Sequence, residues 1–352
     1  MMEAGVLFEE LSGEHGDLGV ITLNRPDVLN SLNMAMIKAM HTQLQQWAKA
    51  THIKAVVVRA VPGRAFCAGG DLRMIYEHRQ VPMDASIFFR DEYQLNRFIF
   101  HYPKPYIAFL DGVTMGGGVG ISIHGSHRVV TENLLFAMPE TGIGFFPDVG
   151  GSYFLPRLPG HLGFYLGLVG ARIGGDDCVF LGIAQEKVPH DALPDLLQAL
   201  AEADLEQEAG TRVSSVIRQF AVQAGDSRFI TQQTVLADCF GFSTMEDIIA
   251  ALTQAEHEVA YQTLLALQKK SPTSLKVTLR ALHMGRQLEF DACMRQEYRL
   301  ASRFLERHDF MEGIRALIID KDQQVKWSPD SLEKVTPDEI AAYFAPFTSE
   351  LS

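Results

Sequence analysis

Two stretches of this chain share one arrangement: a continuous apolar run, then clustered glycines, then a segment with helical spacing. The first passes from Ala55-Val56-Val57-Val58 to Ala65-Phe66-Cys67-Ala68-Gly69-Gly70-Asp71. The second passes from Tyr106-Ile107-Ala108-Phe109-Leu110 to Met115-Gly116-Gly117-Gly118-Val119-Gly120. An apolar run without alternation reads as a strand buried on both faces, as in a parallel sheet. Glycines at a strand-to-helix turn admit positive φ and let backbone N–H groups close on a ligand. Two such turns at the ends of neighbouring strands would aim two donors at one point, which is what an oxyanion hole requires. Taken singly, each cluster reads more simply as a tight turn or a place of close helix packing.

The rest of the first half fits that frame. Residues 19–24 form a β-rich run stopped by Arg25-Pro26, and Asn33 can cap a helix through Lys49 that carries Met36, Ile37, Met40, Leu44 and Trp47 at helical spacing. A helix over 84–100 and a third strand over 128–130 follow. Repeated strand–helix–strand order predicts right-handed crossovers and a mainly parallel sheet. Beyond residue 160 the texture changes to segments rich in Ala, Leu, Glu and Gln, at 191–203, 211–224, 245–252, 257–269, 274–285 and 290–307, which read as successive helices. The expectation is an α/β core over 1–200 and a helical region over 201–352 that completes the site.

Composition narrows the function. The chain has 352 residues and a net charge of −12, so phosphate-backbone binding, which needs clustered Lys and Arg, is disfavoured. No long uninterrupted apolar stretch suggests a membrane span. Four dispersed cysteines without a CxxC pair fit a reducing compartment, and the Met1 end lacks the features of a signal peptide. The expected location is the cytoplasm, or an organelle reached by a mature form.

A third stretch, Phe136-Ala137-Met138-Pro139-Glu140-Thr141-Gly142-Ile143-Gly144-Phe145-Phe146-Pro147-Asp148-Val149-Gly150-Gly151, sets two acids among apolar residues. Burial there would raise a carboxyl pKa and suit it to proton transfer or nucleophilic work; capping a turn is the plainer role. Rival motifs are missing from the chain: GxxxxGK[ST], a complete GxGxxG, the GxSxG elbow and HExxH. His124 and His127 have no matching ligand set, so no metal is expected. Cys67 reads as a buried thiol.

The three stretches, in this order and spacing, resemble the crotonase (enoyl-CoA hydratase/isomerase) superfamily, with further agreement at 24–33 and 309–323. The resemblance covers almost the whole chain and implies an α/β fold, a crotonase-like ββα superhelix with an extended helical C-terminal region. Hydratases of that superfamily use two glutamates. Here the later one corresponds to Glu140, while the earlier position holds Gly120. Together with Asp148, Ser271-Pro272-Thr273-Ser274-Leu275-Lys276 and Glu92-Tyr93-Gln94-Leu95-Asn96, the pattern resembles the 3-hydroxyisobutyryl-CoA hydrolase family, whose members are also longer.

That resemblance implies an acyl-CoA thioester hydrolase of valine degradation. The backbone N–H groups of Ala68 and Gly117 would form the oxyanion hole. Glu140 would serve as base or nucleophile, with Asp148 and Glu92 about the acyl group and Gly69, Gly70, Asp71 and Gly116 lining the substrate. Arg64, Arg73 or a lysine of the C-terminal region would meet the phosphates of CoA. Coenzyme A enters as substrate, so no cofactor is expected. The expected partner is the acyl-CoA alone, with no nucleic acid and no membrane, and a homo-oligomer is compatible with the superfamily.

Overall fold

The computed structural model describes residues 5–79, 82–346 and 351. The chain forms two compact units, each gathered from three stretches. Residue 200, the expected boundary, falls inside the helix Leu193–Glu202.

The first unit takes in Met1–Gly70, Gln94–Phe136 and Ile173–Ser227. Its main sheet holds six strands in the order β1 (Val6–Leu11), β2 (Asp17–Leu23), β3 (Ile53–Ala60), β5 (Tyr106–Leu110), β7 (His127–Val130) and β9 (Glu186–Lys187). Only β1–β2 is antiparallel; the other neighbours run parallel, as the apolar runs of β3 and β5 predict. The helix Met34–Lys49 starts where the Asn33 side chain accepts the Met36 N–H at 2.9 Å, and it buries Met36, Ile37, Met40, Leu44 and Trp47. Leu18, Val20, Val57, Ile107 and Phe109 of the sheet pack with Leu196, Leu197 and Leu200 of the helix Leu193–Glu202. Each such side chain contributes about 1.5–3 kcal/mol by leaving water. A second sheet joins β4 (Ala65–Cys67), β6 (Val113–Met115) and β8 (Leu135–Ala137) in that order. Strands β4 and β6 are parallel, with Ala65 opposite Val113 and Cys67 opposite Thr114. That pairing brings the two glycine turns side by side.

The second unit takes in Asp71–Tyr93, Ala137–Arg172 and Arg228–Ser352 and is mainly helical. The helices Met245–Gln254, Glu258–Leu267, Pro272–Gly285 and Phe290–Leu305 match the predicted segments closely. Pro272 opens its helix at a position with no N–H to satisfy, and Ser271 caps it by accepting the Ser274 N–H at 3.1 Å. The inner stripe of Phe290–Leu305 carries Phe290, Cys293, Met294, Leu300, Ala301 and Phe304, and Glu297 lies in that same stripe. Helices Leu162–Val169, Phe229–Phe240 and Pro337–Phe344, like strand β1, are additions to the sequence reading. Among the described residues, no helix is long and apolar enough to cross a membrane.

Candidate active site

In the first unit the two glycine turns meet as the sequence suggests. A Cβ built on Gly69, whose φ is +116°, would lie 3.5 Å from the Met115 carbonyl oxygen and 3.8 Å from the Gly117 nitrogen. Gly116, at φ 47°, precedes the short helix Gly117–Gly120. Gly117 opens that helix, so its N–H has no acceptor within it. A Cβ on Gly118 would fall 2.2 Å from the Cys67 carbonyl oxygen, so only glycine lets the turns approach this closely. Cys67 itself is buried, and its thiol donates to the Gly69 carbonyl at 3.7 Å. The Ala68 N–H donates to the Leu29 carbonyl at 3.0 Å, and the Leu32 N–H donates to the Gly69 carbonyl at 2.8 Å. Asn30 braces the same loop, its Nδ2 donating to the Ala65 carbonyl at 2.9 Å. Of the two expected oxyanion donors, Ala68 is thus engaged and Gly117 stands at a helix start. Gly70 forms an isolated parallel bridge with Leu32.

The second unit holds the acids. Glu92, Glu140 and Asp148 are only 2%, 5% and 5% exposed. Glu92 sits in the helix Pro82–Phe100, Glu140 begins a 3-10 turn through Ile143, and Asp148 follows Pro147. The Tyr93 hydroxyl donates to Asp148 Oδ2 at 2.7 Å. Glu92 Oε1 and Glu140 Oε2 are buried without a hydrogen-bond partner among the described residues. Phe145 stacks on Phe89 with ring centres 5.3 Å apart and on Phe310 at 4.3 Å, walling this region with aromatic surface. A buried carboxylate oxygen without a donor is costly, and a polar ligand would satisfy it.

This environment raises all three acids. Burial, then the nearby Asp148 charge, lifts Glu140 well above the usual carboxylate range; the Lys270 ammonium pulls the other way and the Glu92 charge adds to the rise. Burial and Asp148 lift Glu92 similarly. Asp148 is pushed up to about 7 by burial, restrained by the Tyr93 hydroxyl and by its own backbone N–H. Acids of like charge, desolvated together, hold their protons more tightly than free carboxylates, as groups used in acid–base chemistry often do.

Asp148 leads into a strained turn. Val149, a buried β-branched residue, has φ 49°, and Gly150 has φ 90°. Holding a valine there costs roughly 1–3 kcal/mol, so something must fix the turn. Glu297 does: its Oε2 accepts the Gly150 N–H at 2.7 Å, and its Oε1 accepts the Ser152 N–H at 2.9 Å and the Ser152 hydroxyl at 2.5 Å.

Tyr93, Lys270 and Glu297 escaped the sequence reading as site residues. Lys270 is half-buried, and a Cβ on Gly142, two residues past Glu140, would lie 3.2 Å from its Nζ. Asp71 caps the helix Leu72–Glu77, accepting the Met74 N–H at 3.4 Å, which is an ordinary capping role. Arg73 Nη2 donates to the Ile318 carbonyl at 3.5 Å, and Arg64 is exposed.

Comparison with known proteins bears on this geometry. The family model described as enoyl-CoA hydratase/isomerase matches residues 18–344. Mitochondrial 3-hydroxyisobutyryl-CoA hydrolase of Homo sapiens is 42% identical over 342 residues, covering 96% of this chain and 88% of that protein. The Xenopus tropicalis enzyme of the same name is 44% identical over 335 residues, covering 94% and 86%. Among solved structures, a carnitinyl-CoA dehydratase from Mycobacterium thermoresistibile superposes with a TM-score of 0.91 at 37% identity, covering 99% of this chain and 98% of that one. An enoyl-CoA hydratase from Rhodobacter sphaeroides 2.4.1 superposes at 0.89 with 35% identity, covering 99% and 100%. These matches span nearly the full length and include both glycine turns and the acid-bearing segment. The chain therefore belongs to the enoyl-CoA hydratase/isomerase family, with the crotonase fold.

Proposed function

We propose that this protein hydrolyses the thioester of a short 3-hydroxyacyl-CoA, 3-hydroxyisobutyryl-CoA foremost, to the free hydroxy acid and CoA, a step of valine breakdown. The observation that carries the reading is the buried set Glu92, Glu140 and Asp148, combined with Gly120 where a hydratase would need its first glutamate. Names of relatives add weight: the hydrolases share 42–44% identity with the chain. Dehydratase and hydratase titles among the solved structures favour a second reading, carbon–carbon double-bond hydration. That chemistry uses two carboxylates to manage one water, and Gly120 supplies none.

In this mechanism Glu140 is the reacting carboxylate. Its unpartnered Oε2 either attacks the carbonyl carbon, giving an acyl-enzyme anhydride, or takes a proton from an attacking water. Either route needs Glu140 ionised, which the Lys270 charge favours. Charge building on the carbonyl oxygen would be taken by backbone donors, each worth roughly 3–4 kcal/mol in comparable sites. Within the first unit, Gly117 is such a donor at a helix start, whereas the Ala68 N–H is given to the Leu29 carbonyl. Glu92 Oε1 and Asp148 would bind the 3-hydroxyl. Along the first route the C–S bond breaks as the anhydride forms, and CoA leaves as thiolate; water then cleaves the anhydride, freeing the hydroxy acid and Glu140 and supplying the proton the thiolate takes up. Along the second, the C–S bond breaks as Glu140 returns the water's proton to the departing sulfur. Four cysteines dispersed along the chain, with relatives named as mitochondrial, support a reducing compartment such as the cytoplasm or mitochondrial matrix.

The test is free-thiol release from three esters: 3-hydroxyisobutyryl-CoA, 3-hydroxypropionyl-CoA and isobutyryl-CoA. Both hydroxylated esters should exceed isobutyryl-CoA in kcat/KM by about tenfold or more, because a site built to bond a hydroxyl rejects its absence. Equal rates on all three would remove the 3-hydroxyl from recognition.

A further inference from the structure

We propose that Glu297 is the positioning residue of the acid cluster, holding the strained 148–152 turn so that Asp148 keeps its bond to Tyr93. The proposal rests on the reading that Asp148 acts on substrate.

Three observations meet in it. Glu297 is fully buried on an otherwise apolar helix face, where a carboxylate is expensive unless its oxygens are occupied. Both oxygens are occupied and, among the described residues, by one turn only: Gly150 N–H, Ser152 N–H and the Ser152 hydroxyl. The first bonded residue, Gly150, is one of the two in left-handed conformation immediately after Asp148, the other being Val149, and Ser152 lies two positions further on. A buried acid that only filled the core could be an apolar residue of the same size. An acid whose three bonds all go to the turn beside a reacting group fixes that group's direction instead. Glu297 touches no reacting atom in this account; it acts through Asp148.

The experiment compares wild type with Glu297→Gln, Glu297→Ala, Asp148→Asn and the Asp148→Asn/Glu297→Gln pair, reading kcat and KM for 3-hydroxyisobutyryl-CoA, melting temperature, and amide hydrogen exchange over 146–154. Glutamine keeps one carbonyl acceptor and alanine none. Glu297→Gln should therefore lower kcat roughly 10- to 100-fold with little change in KM, and Glu297→Ala should lose more. Exchange over 146–154 should quicken in both. In the Asp148→Asn background the glutamine change should cost less than about threefold, since residues acting as one unit are not additive. A full, multiplied loss in that background, or wild-type kcat and unchanged exchange in Glu297→Gln, would overturn the proposal. Should Glu297→Ala fail to fold, the glutamine variant and its pair decide alone. If wild type released no thiol from any ester, the hydrolase reading would fall, while the exchange data would still decide whether Glu297 holds the turn.

Discussion

The Tyr93 hydroxyl reaches Asp148 Oδ2 across 2.7 Å, and both side chains are buried. These residues lie 55 positions apart in sequence. The bond favours the ionised form of Asp148, offsetting part of the burial that pushes this acid up to about 7. Tyr93→Phe removes the donor and leaves the shape. Asp148 should then protonate more readily, and the acid limb of the kcat/KM profile should move to higher pH. Loss of a donor to a buried charged group also costs about 1–3 kcal/mol of stability. A pH profile coinciding with that of wild type would mean that Asp148 ionisation does not limit the reaction.

Asp148 also couples stability to pH. Its folded pKa of about 7 lies above the ordinary value of 3.8, so the folded protein holds a proton that the unfolded chain releases between them. Stability from this group is fully present below the unfolded value and is lost as pH rises toward 7. Asparagine cannot ionise. Asp148→Asn should therefore lose activity while melting at or above the wild-type temperature at pH 8, with a smaller difference at pH 4. Melting scans at the two pH values measure this, and a variant less stable at both would contradict it.

Lys270 opposes the rise at Glu140. Burial drives its own pKa down, and the Glu140 charge raises it. Lys270→Met removes the cation, so Glu140 should ionise at higher pH, moving the acid limb of kcat upward. Turnover at pH 6 should fall more than turnover at pH 9. Equal loss at both would indicate a packing role alone.

Glu140→Gln should lower kcat by roughly 10²- to 10⁴-fold, the range for a lost acid–base group. Substrate binding, followed by calorimetry, should persist. Wild-type turnover in this variant would take Glu140 out of the mechanism.

Local signals made much of this legible. Asn33 marks a helix start, apolar runs mark β3 and β5, and the glycine turns follow those strands. Strand β1 was hidden because its apolar residues, Val6, Leu7, Phe8 and Leu11, do not alternate with polar ones, and Leu7, Glu9 and Glu10 are exposed. The helix Phe229–Phe240 contains Ile230, Thr231, Thr234 and Val235, β-branched residues with weak helix propensity. Glu297 did leave a trace. It falls at helical spacing between Cys293, Met294, Leu300, Ala301 and Phe304, so an acid occupies a core position. Its partners, nearly 150 residues away, are set by tertiary packing. Tyr93 and Lys270 had no such trace, since a tyrosine in an amphipathic helix and a lysine beside a helix start are commonplace.

Free CoA released from 3-hydroxyisobutyryl-CoA, with hydration of crotonyl-CoA followed alongside under the same conditions, decides between thioester hydrolysis and double-bond hydration. Rapid thiol release with crotonyl-CoA left unhydrated is the expected result. Hydration of crotonyl-CoA without thiol release would contradict the account and would show that the glycine at position 120 does not disable the hydratase reaction.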